Sequence, residues 1–580
     1  MSRRRNFKSV ALFAMPLALN LAIASANAPE QTSVRLSGHV PFHALSNAIF
    51  LEHLDSTVDV PVSFTLPLRN QEVLKDLVRR IHDPNDQEYF GKYLTSEEFN
   101  ERFAPTEDDY NAVIEYAQDL GFTVTGTHSN RTLLHVKAKS ADVENAFNLA
   151  LHHYQRVDGR KFYAPDQDPE VSASMTSIIS GIVGLDNHGV RRSYHRARRV
   201  ENDQHALNVS SPNAFPSGPN GGFAPGDLLK AYNLEGVSQN GSGQIIALFE
   251  LGSYSTSDIN EYAQQFNLPT PQLKNILVNG GSGSGIDPEV TLDIELALAL
   301  APESQIYVYE GPNSDQGVLA TYNRIATDNI AKQVSTSWGM GEVLSSTQQL
   351  NAEHAIFLQM AAHGQTMYAA AGDSGAYDDY QENPVKQRVV DDPASQPYVT
   401  AVGGTRLTVN SQTGTYQGEV VWNNGLGNGA GGGGVSVVWP MPNWQAPVHN
   451  TFSKSHRNVP DVTLNADPNS GYAIYYNGQW TIYGGTSCAA PLWAAFTALV
   501  NEARVANNQA VLGFANPTFY PIGRGAAGKT NFHDVTKGNN LFYNAEPGYD
   551  NASGWGSFNG AILFKTLTGL SSSFADTEEL

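Results

Sequence analysis

The stretch "GGTSCAAPLWAAFTALVNEA" (residues 484–503) opens with a glycine pair and Thr-Ser, then runs apolar for long enough to form a buried helix. Ser487 falls at or near the N-terminus of that helix, where orphan backbone N–H groups and the helix dipole favour developing negative charge. An isolated serine there is equally an N-cap with no chemical role. Its neighbour Cys488 is the only cysteine of 580 residues, which excludes an intramolecular disulfide framework. A reactive thiol needs a histidine partner to ionise. No such neighbourhood is visible, and Cys488 reads as a small apolar residue in the first helical turn.

The serine helix closes a series of short apolar runs. "QIIALFE" (244–250), "SQIYVYEG" (304–311), "AKQVSTSWG" (331–339), "QTMYAAAGDSG" (365–375) and "PYVTAVGG" (397–404) are separated in several places by helical segments. Continuously apolar strands alternating with helices predict an α/β unit with a doubly wound, mostly parallel sheet covered on both faces. Active sites of such sheets lie at the strand carboxyl ends. Here several runs end in Glu250, Trp338-Gly339 or Asp373-Ser374-Gly375.

A second helix, "DPEVTLDIELALALAP" (287–302), starts at Pro288 and puts Glu289 and Asp293 at i and i+4 on one face. The positions that follow are almost all apolar, so this helix is buried and its two carboxylates need a partner or a task. A proton shared between them would raise one pKa and suit a general base. The simpler reading is a solvated acidic first turn favoured by the helix dipole. Asp373, before Ser-Gly, can be an ordinary turn residue. It donates a hydrogen bond to an oxyanion only when protonated.

Before residue 189 the pattern differs. Strand-like "VPVSFTLPL" (60–68), helical "NQEVLKDLVRRIHD" (70–83) and "TEDDYNAVIEYAQDLG" (106–121), strand-like "RTLLHVKAK" (131–139) and helical "SADVENAFNLAL" (140–151) describe a compact α+β unit without a catalytic cluster. Between the two units, "GVRRSYHRARRV" (189–200) and a Gly/Pro-rich stretch read as a solvated linker, exposed to proteolysis. The first 28 residues combine Arg3, Arg4, Arg5 and Lys8 with an apolar run and Ala26-Asn27-Ala28. That is the pattern of a secretory signal, with an apolar part too short for a membrane span. A net charge of -21 argues against general nucleic-acid binding.

Taken in order, "EVTLDIELALALAP", "STSWG", "AAAGDSG", "GGGGVS" (431–436) and "GGTSCAAP" resemble the sedolisin (serine-carboxyl peptidase) family over about residues 222–570. Residues 34–188 resemble that family's activation prodomain, including "YFGKYLTSEEFNERFAP" (89–105). The resemblance implies a subtilisin-like fold preceded by a ferredoxin-like α+β prodomain. It divides the chain into a signal (1–28), prodomain (29–188), linker with a processing site (189–222), catalytic domain (223–572) and tail (573–580). It makes Ser487 the nucleophile, Glu289 its general base, Asp293 the carboxylate orienting that base and Asp373 the oxyanion-hole residue. Glu250 and Trp338 extend the hydrogen-bonded network behind the base.

The resemblance also places Asp391 in the pocket for the substrate's P1 side chain, which would suit a basic residue, with Gly433 and Gly434 lining the same pocket. "FHDVTKG" and "AEPGYD" resemble the family's calcium site: the Asp534 and Asp550 side chains with the Val535, Glu546 and Gly548 carbonyls, a hard-oxygen set suited to one Ca²⁺. Glu546 stands where the family pattern has glycine, a change a backbone ligand tolerates. The implied substrates are proteins or peptides, and the prodomain acts as an intramolecular inhibitor. Nothing demands more than a secreted monomer without a membrane anchor.

Acid explains a glutamate base. At pH ~4 a histidine of pKa ~6.5 is only about 0.3% neutral, whereas a glutamate of pKa ~4.3 is still roughly one-third ionised. The same acid keeps Asp373 protonated. A histidine-based subtilisin triad has only "HGQT" at His363 to offer, and that residue reads as part of a surface turn. A catalytically dead, protease-like binding protein is the other class to weigh. Such relatives usually lose a catalytic residue, and Ser487, Glu289, Asp293 and Asp373 are all present.

Overall fold

The structure is a computed structural model that describes residues 33–198, 215–381 and 386–570. The signal-like segment, the middle of the linker (199–214) and the tail lie outside these residues.

The C-terminal unit is built on a sheet whose parallel strands run in the order Gln272–Leu277, Gln305–Glu310, Ile245–Glu250, Gln333–Thr336, Thr366–Ala370 and Thr400–Val409. Tyr416–Val421 pairs antiparallel at the far edge, and Val462–Asn465 runs parallel to Thr400–Val409. Side chains alternate faces along each strand. Ile246 and Leu248 therefore join the core around the helices Pro288–Leu300 and Thr486–Ala506. Ala247 and Phe249 face the helices Asp315–Asp328 and Thr347–Ala362. Both faces are covered, which accounts for the continuously apolar strands. The chain reverses its winding about the strand Ile245–Glu250, so strand carboxyl ends converge there on a crevice, where ligands bind in such sheets.

The N-terminal unit holds a four-stranded antiparallel sheet in the order Thr123–Thr127, Leu133–Lys139, Asp59–Thr65, Gly181–Val183. The helices Glu107–Asp119 and Ser140–Phe147 complete a β-α-β-β-α-β connection, the ferredoxin-like topology. Thr106 caps its helix as expected, accepting from Asp109 N–H. Asn70 does not cap: it is in the left-handed conformation and its amide donates to the Arg102 carbonyl.

The two units share a buried interface. Leu74, Ile81 and Phe99 of the first pack against Leu358, Ala361, Ala362 and Phe514 of the second. Asn130 is buried between Asn323 (2.6 Å) and Gln359 (2.8 Å). Phe514 N–H donates to His82 Nε2 (2.9 Å), whose Nδ1 lies 2.8 Å from the Val78 carbonyl. His363 departs from its sequence reading. It is fully buried, ends the helix Thr347–Ala362, and packs its ring edge-on against Phe99. It is held from both units, by the Phe99 ring of the first and by the Ala326 carbonyl of the second, 3.0 Å from its Nδ1.

Candidate active site

Ser487 is the second residue of the helix Thr486–Ala506, behind an N-cap at Gly485; it is not the cap. Gly485 takes φ +115, which disfavours L side chains, and a Cβ there would overlap the Tyr194 carbonyl. The Ser487 backbone N–H, one of the orphan donors of the first turn, donates to that carbonyl at 3.2 Å. The Ser487 Oγ is buried with no well-formed hydrogen bond, yet it lies close enough to Glu289 to draw that carboxyl's pKa down. Pro491, four residues on, has no N–H to give the Ser487 carbonyl. Ser337 Oγ approaches this carbonyl to 3.3 Å and lies 2.9 Å from Asp293 Oδ1.

Glu289 and Asp293 are both fully buried at the start of the helix Pro288–Leu300, which Asp287 caps by accepting from Glu289 N–H (2.9 Å). This helix is buried all round, so the solvated-turn reading does not hold. Glu250, at the end of its strand, accepts from Trp338 Nε1–H at 2.8 Å. Glu250 Oε1, Glu289 Oε1 and Asp293 Oδ2 are buried without a donor. Burial pushes all three carboxyls up, and their mutual charge adds to the rise for Glu250 and Asp293. Three such groups cannot all ionise, so the cluster holds protons well above the usual carboxylate range. Glu289 and Asp293 are coupled through charge; no hydrogen bond between them is found among the described residues.

Asp373 sits at the carboxyl end of the strand Thr366–Ala370, and its Oδ1 accepts from Thr486 N–H (2.9 Å) and Oγ1 (3.0 Å). Burial raises its pKa, opposed by Arg196, whose Nε lies 3.3 Å from Oδ2.

The linker's first part is not solvated. Arg192–Ser193 pairs antiparallel with Trp338–Gly341, and Arg196–Ala197 with Gln479–Gly484. Arg191 is buried against Glu353, with Asp315 at 3.5 Å. Tyr194, 2% exposed, donates its phenol hydrogen to Asp391 and approaches Asp378 at 3.2 Å. His195 Nδ1 lies 2.8 Å from Glu289 Oε2. Burial works against the imidazolium, but Glu289, Asp287 and Asp373 outweigh it and raise the His195 pKa.

Of the predicted residues, the structure brings together Ser487, Glu289, Asp293, Asp373, Glu250 and Trp338, and sets Asp391 beside Tyr194. Gly433 and Gly434 lie against Pro460, Val390 and Tyr543. Sequence reading missed Ser337, Asp378, Tyr194, His195 and Arg196. The basic run 191–199 facing an acidic protein was the available signal for the last three. Cys488 is free and buried at 0% exposure, and burial holds its thiol well above the ordinary range.

Near the C-terminus, Asp534 Oδ2 accepts from Gly548 N–H and Asp550 Oδ2 from Glu546 N–H, each at 2.9 Å. Both carboxylates are thereby drawn into one loop cluster. Asp534 Oδ1 is buried without a partner. Burial raises Asp534 and takes Asp550 to about 6. An unpartnered oxygen and two carboxyls whose burial is opposed mainly by backbone N–H groups, with Lys529 acting weakly on Asp534, fit a hard cation. Among the described residues no three His, Cys, Asp or Glu side chains are grouped to hold a metal, and the expected set uses only two. No described helix is long and apolar enough to cross a membrane.

A serine at the start of a buried helix, at the carboxyl ends of a doubly wound parallel sheet and crossed by the chain's own linker, defines a subtilisin-like serine peptidase in precursor form. The family model "Pro-kumamolisin, activation domain" matches residues 46–188 and the model "Subtilase family" matches 278–518. Kumamolisin of Bacillus sp. (strain MN-32) is 36% identical over 82% of this chain and 86% of its own. Sedolisin of Pseudomonas sp. (strain 101) is 30% identical over 86% of this chain and 85% of its own. A solved Pseudomonas sedolisin, complexed with pseudo-iodotyrostatin, superposes with a TM-score of 0.56 at 30% identity, covering 60% of this chain and 98% of that one. The chain belongs to the sedolisin family of serine-carboxyl peptidases and carries its activation prodomain.

Proposed function

We propose that this protein is a secreted, acid-active serine-carboxyl endopeptidase made as a self-processing precursor. The observation that supports this most is the buried constellation of Ser487, Glu289, Asp293 and Asp373 at the strand ends. Ser487 acts as nucleophile and Glu289 as general base. Asp293 positions Glu289 through the shared protonation of the carboxyl cluster, backed by Ser337, Glu250 and Trp338. The Ser487 N–H and a protonated Asp373 stabilise the oxyanion. Histidine is not needed as a base, because buried carboxyls with raised pKa values exchange protons in acid. Secretion rests on the N-terminal sequence pattern.

Ser487→Ala should abolish self-processing on acidification, and Cys488→Ala should leave it within about twofold of the parent. Processing retained by the first variant or lost by the second, on intact-mass analysis, would overturn the assignment.

One structural Ca²⁺ is held by the Asp534 and Asp550 carboxylates and the Val535, Glu546 and Gly548 carbonyls, and its role is to tie the C-terminal loops together. A chelator should lower the thermal midpoint by several degrees, and an excess of calcium should restore it. An unchanged midpoint removes this site.

A further inference from the structure

We infer that the first bond this enzyme hydrolyses is its own Tyr194–His195 bond, in cis, and that the pocket around Tyr194 selects tyrosine at P1. This rests on the reading of Ser487 and Glu289 as the catalytic pair.

The linker is held as an added strand on both sides of that bond. Before it, Arg192 and Ser193 stand opposite Gly339 and Trp338, and Tyr194 N–H donates to the Ser337 carbonyl at 3.2 Å. After it, Arg196 and Ala197 stand opposite Gly484 and Tyr483, and Arg198 N–H donates to the Ile482 carbonyl at 2.8 Å. Main-chain pairing of this kind fixes a peptide's register, and pockets then read its side chains. Within the linker it is the Tyr194 carbonyl that receives the Ser487 N–H, the donor an oxyanion would use. Gly485 permits that approach. His195 takes one oxygen of Glu289, and the other is left without a partner next to the serine.

Each step then has its group in place. Ser487 Oγ adds to the Tyr194 carbonyl carbon while its proton passes to Glu289. The C–N bond to His195 breaks, and Glu289 returns the proton to the departing α-amine. Water, deprotonated by Glu289, hydrolyses the Tyr194 ester, leaving a Tyr194 carboxyl terminus and a His195 amino terminus.

The pocket specifies more than an aromatic ring. The Tyr194 hydroxyl donates to Asp391, whose carboxyl is buried beside Asp378. Arg192 Nη2 lies 3.2 Å from Asp378 Oδ1 and supplies cationic charge at this acidic end. A phenol that can donate one hydrogen bond satisfies Asp391 without bringing in a second cation. A phenylalanine would leave Asp391 Oδ2 without this donor, and sites built to bond a hydroxyl discriminate strongly against its loss. This replaces the basic P1 preference expected from Asp391 alone.

The test uses the full-length precursor, acidified in dilute solution and sampled early by intact mass, beside Ser487→Ala and Tyr194→Phe. The first fragments should end at Tyr194 and begin at His195, with a first-order rate constant unchanged over a roughly tenfold range of protein concentration. Tyr194→Phe should slow that cut by about tenfold or more. A first cut elsewhere, with Ser487→Ala intact, refutes the bond and spares the catalytic pair. A rate proportional to concentration refutes cleavage in cis, and Tyr194→Phe at the parental rate refutes the pocket. Cleavage in Ser487→Ala, or an inert parent precursor, refutes the catalytic reading itself.

Discussion

The N-terminal third of the chain grips the peptidase in two places of opposite chemistry. In the cleft the grip is ionic: Arg191 on Glu353 and Asp315, Arg192 on Asp378, Arg196 on Asp373, and His195 on Glu289. On the helical face it is apolar, with Leu74, Ile81 and Phe99 against Leu358, Ala361 and Phe514, and with neutral amides and imidazoles filling the polar positions. Apolar burial supplies affinity without direction, whereas the charges fix register in the cleft. Acid should loosen both grips, by different means: carboxylates in the cleft would lose their charge, and histidines at the face would acquire one.

Arg191→Met, made in the Ser487→Ala precursor so that the chain stays whole, tests the ionic grip with the largest expected effect. Removing one partner of a buried ion pair costs about 3–5 kcal/mol. Burial raises Glu353, Asp392 and Asp315, and Arg191 opposes the rise, holding Asp315 to about 6, so at pH 7 the variant must protonate these carboxyls or bury them without their cation, at a cost that grows with pH. The loss should therefore be largest at pH 7 and shrink toward pH 4 as these groups take up protons. Equal destabilisation at both pH values, by denaturant unfolding, would show that Arg191 acts by packing alone.

The apolar grip offers a smaller and opposite test at His82. Burial lowers its pKa from 6.5 to about 4, and a proton on Nε2 would face the Phe514 N–H. Docking is thus full above pH 6.5 and weakens as pH falls toward 4, by at most tenfold per pH unit for one histidine. His363, lowered to about 3 by burial under the same interface, adds its own slope from about pH 6.5 downward and carries it on below pH 4. His82→Gln, which keeps an acceptor but does not titrate, should flatten the dependence of the prodomain's Kd on pH by up to about one log unit between 6.5 and 5. An unaltered slope would remove His82 from acid release.

The difference between the two grips also explains what was legible beforehand. The parallel sheet, its helices and the acidic and serine motifs were readable because apolar runs and short local spacings carry them: Glu289 and Asp293 share a helix face, and Ser487 follows a glycine pair. His363 was misread because part of its packing comes from Phe99, more than two hundred residues earlier in the chain, and part from the Ala326 carbonyl on a neighbouring helix. The run 190–198 was misread because Arg and Tyr in isolation look solvated. Only the fold shows that Glu353, Asp378 and Asp391 wait for them. A glycine at 433 or 434 serves close backbone packing as readily as a substrate, so its residue type alone does not distinguish the two.

The pH dependence of kcat/KM for the processed enzyme, on a peptide with tyrosine at P1, bears most directly on a carboxyl base served by a protonated Asp373. Activity should peak well below neutrality and fall away by pH 7. An optimum at neutral or alkaline pH would contradict it.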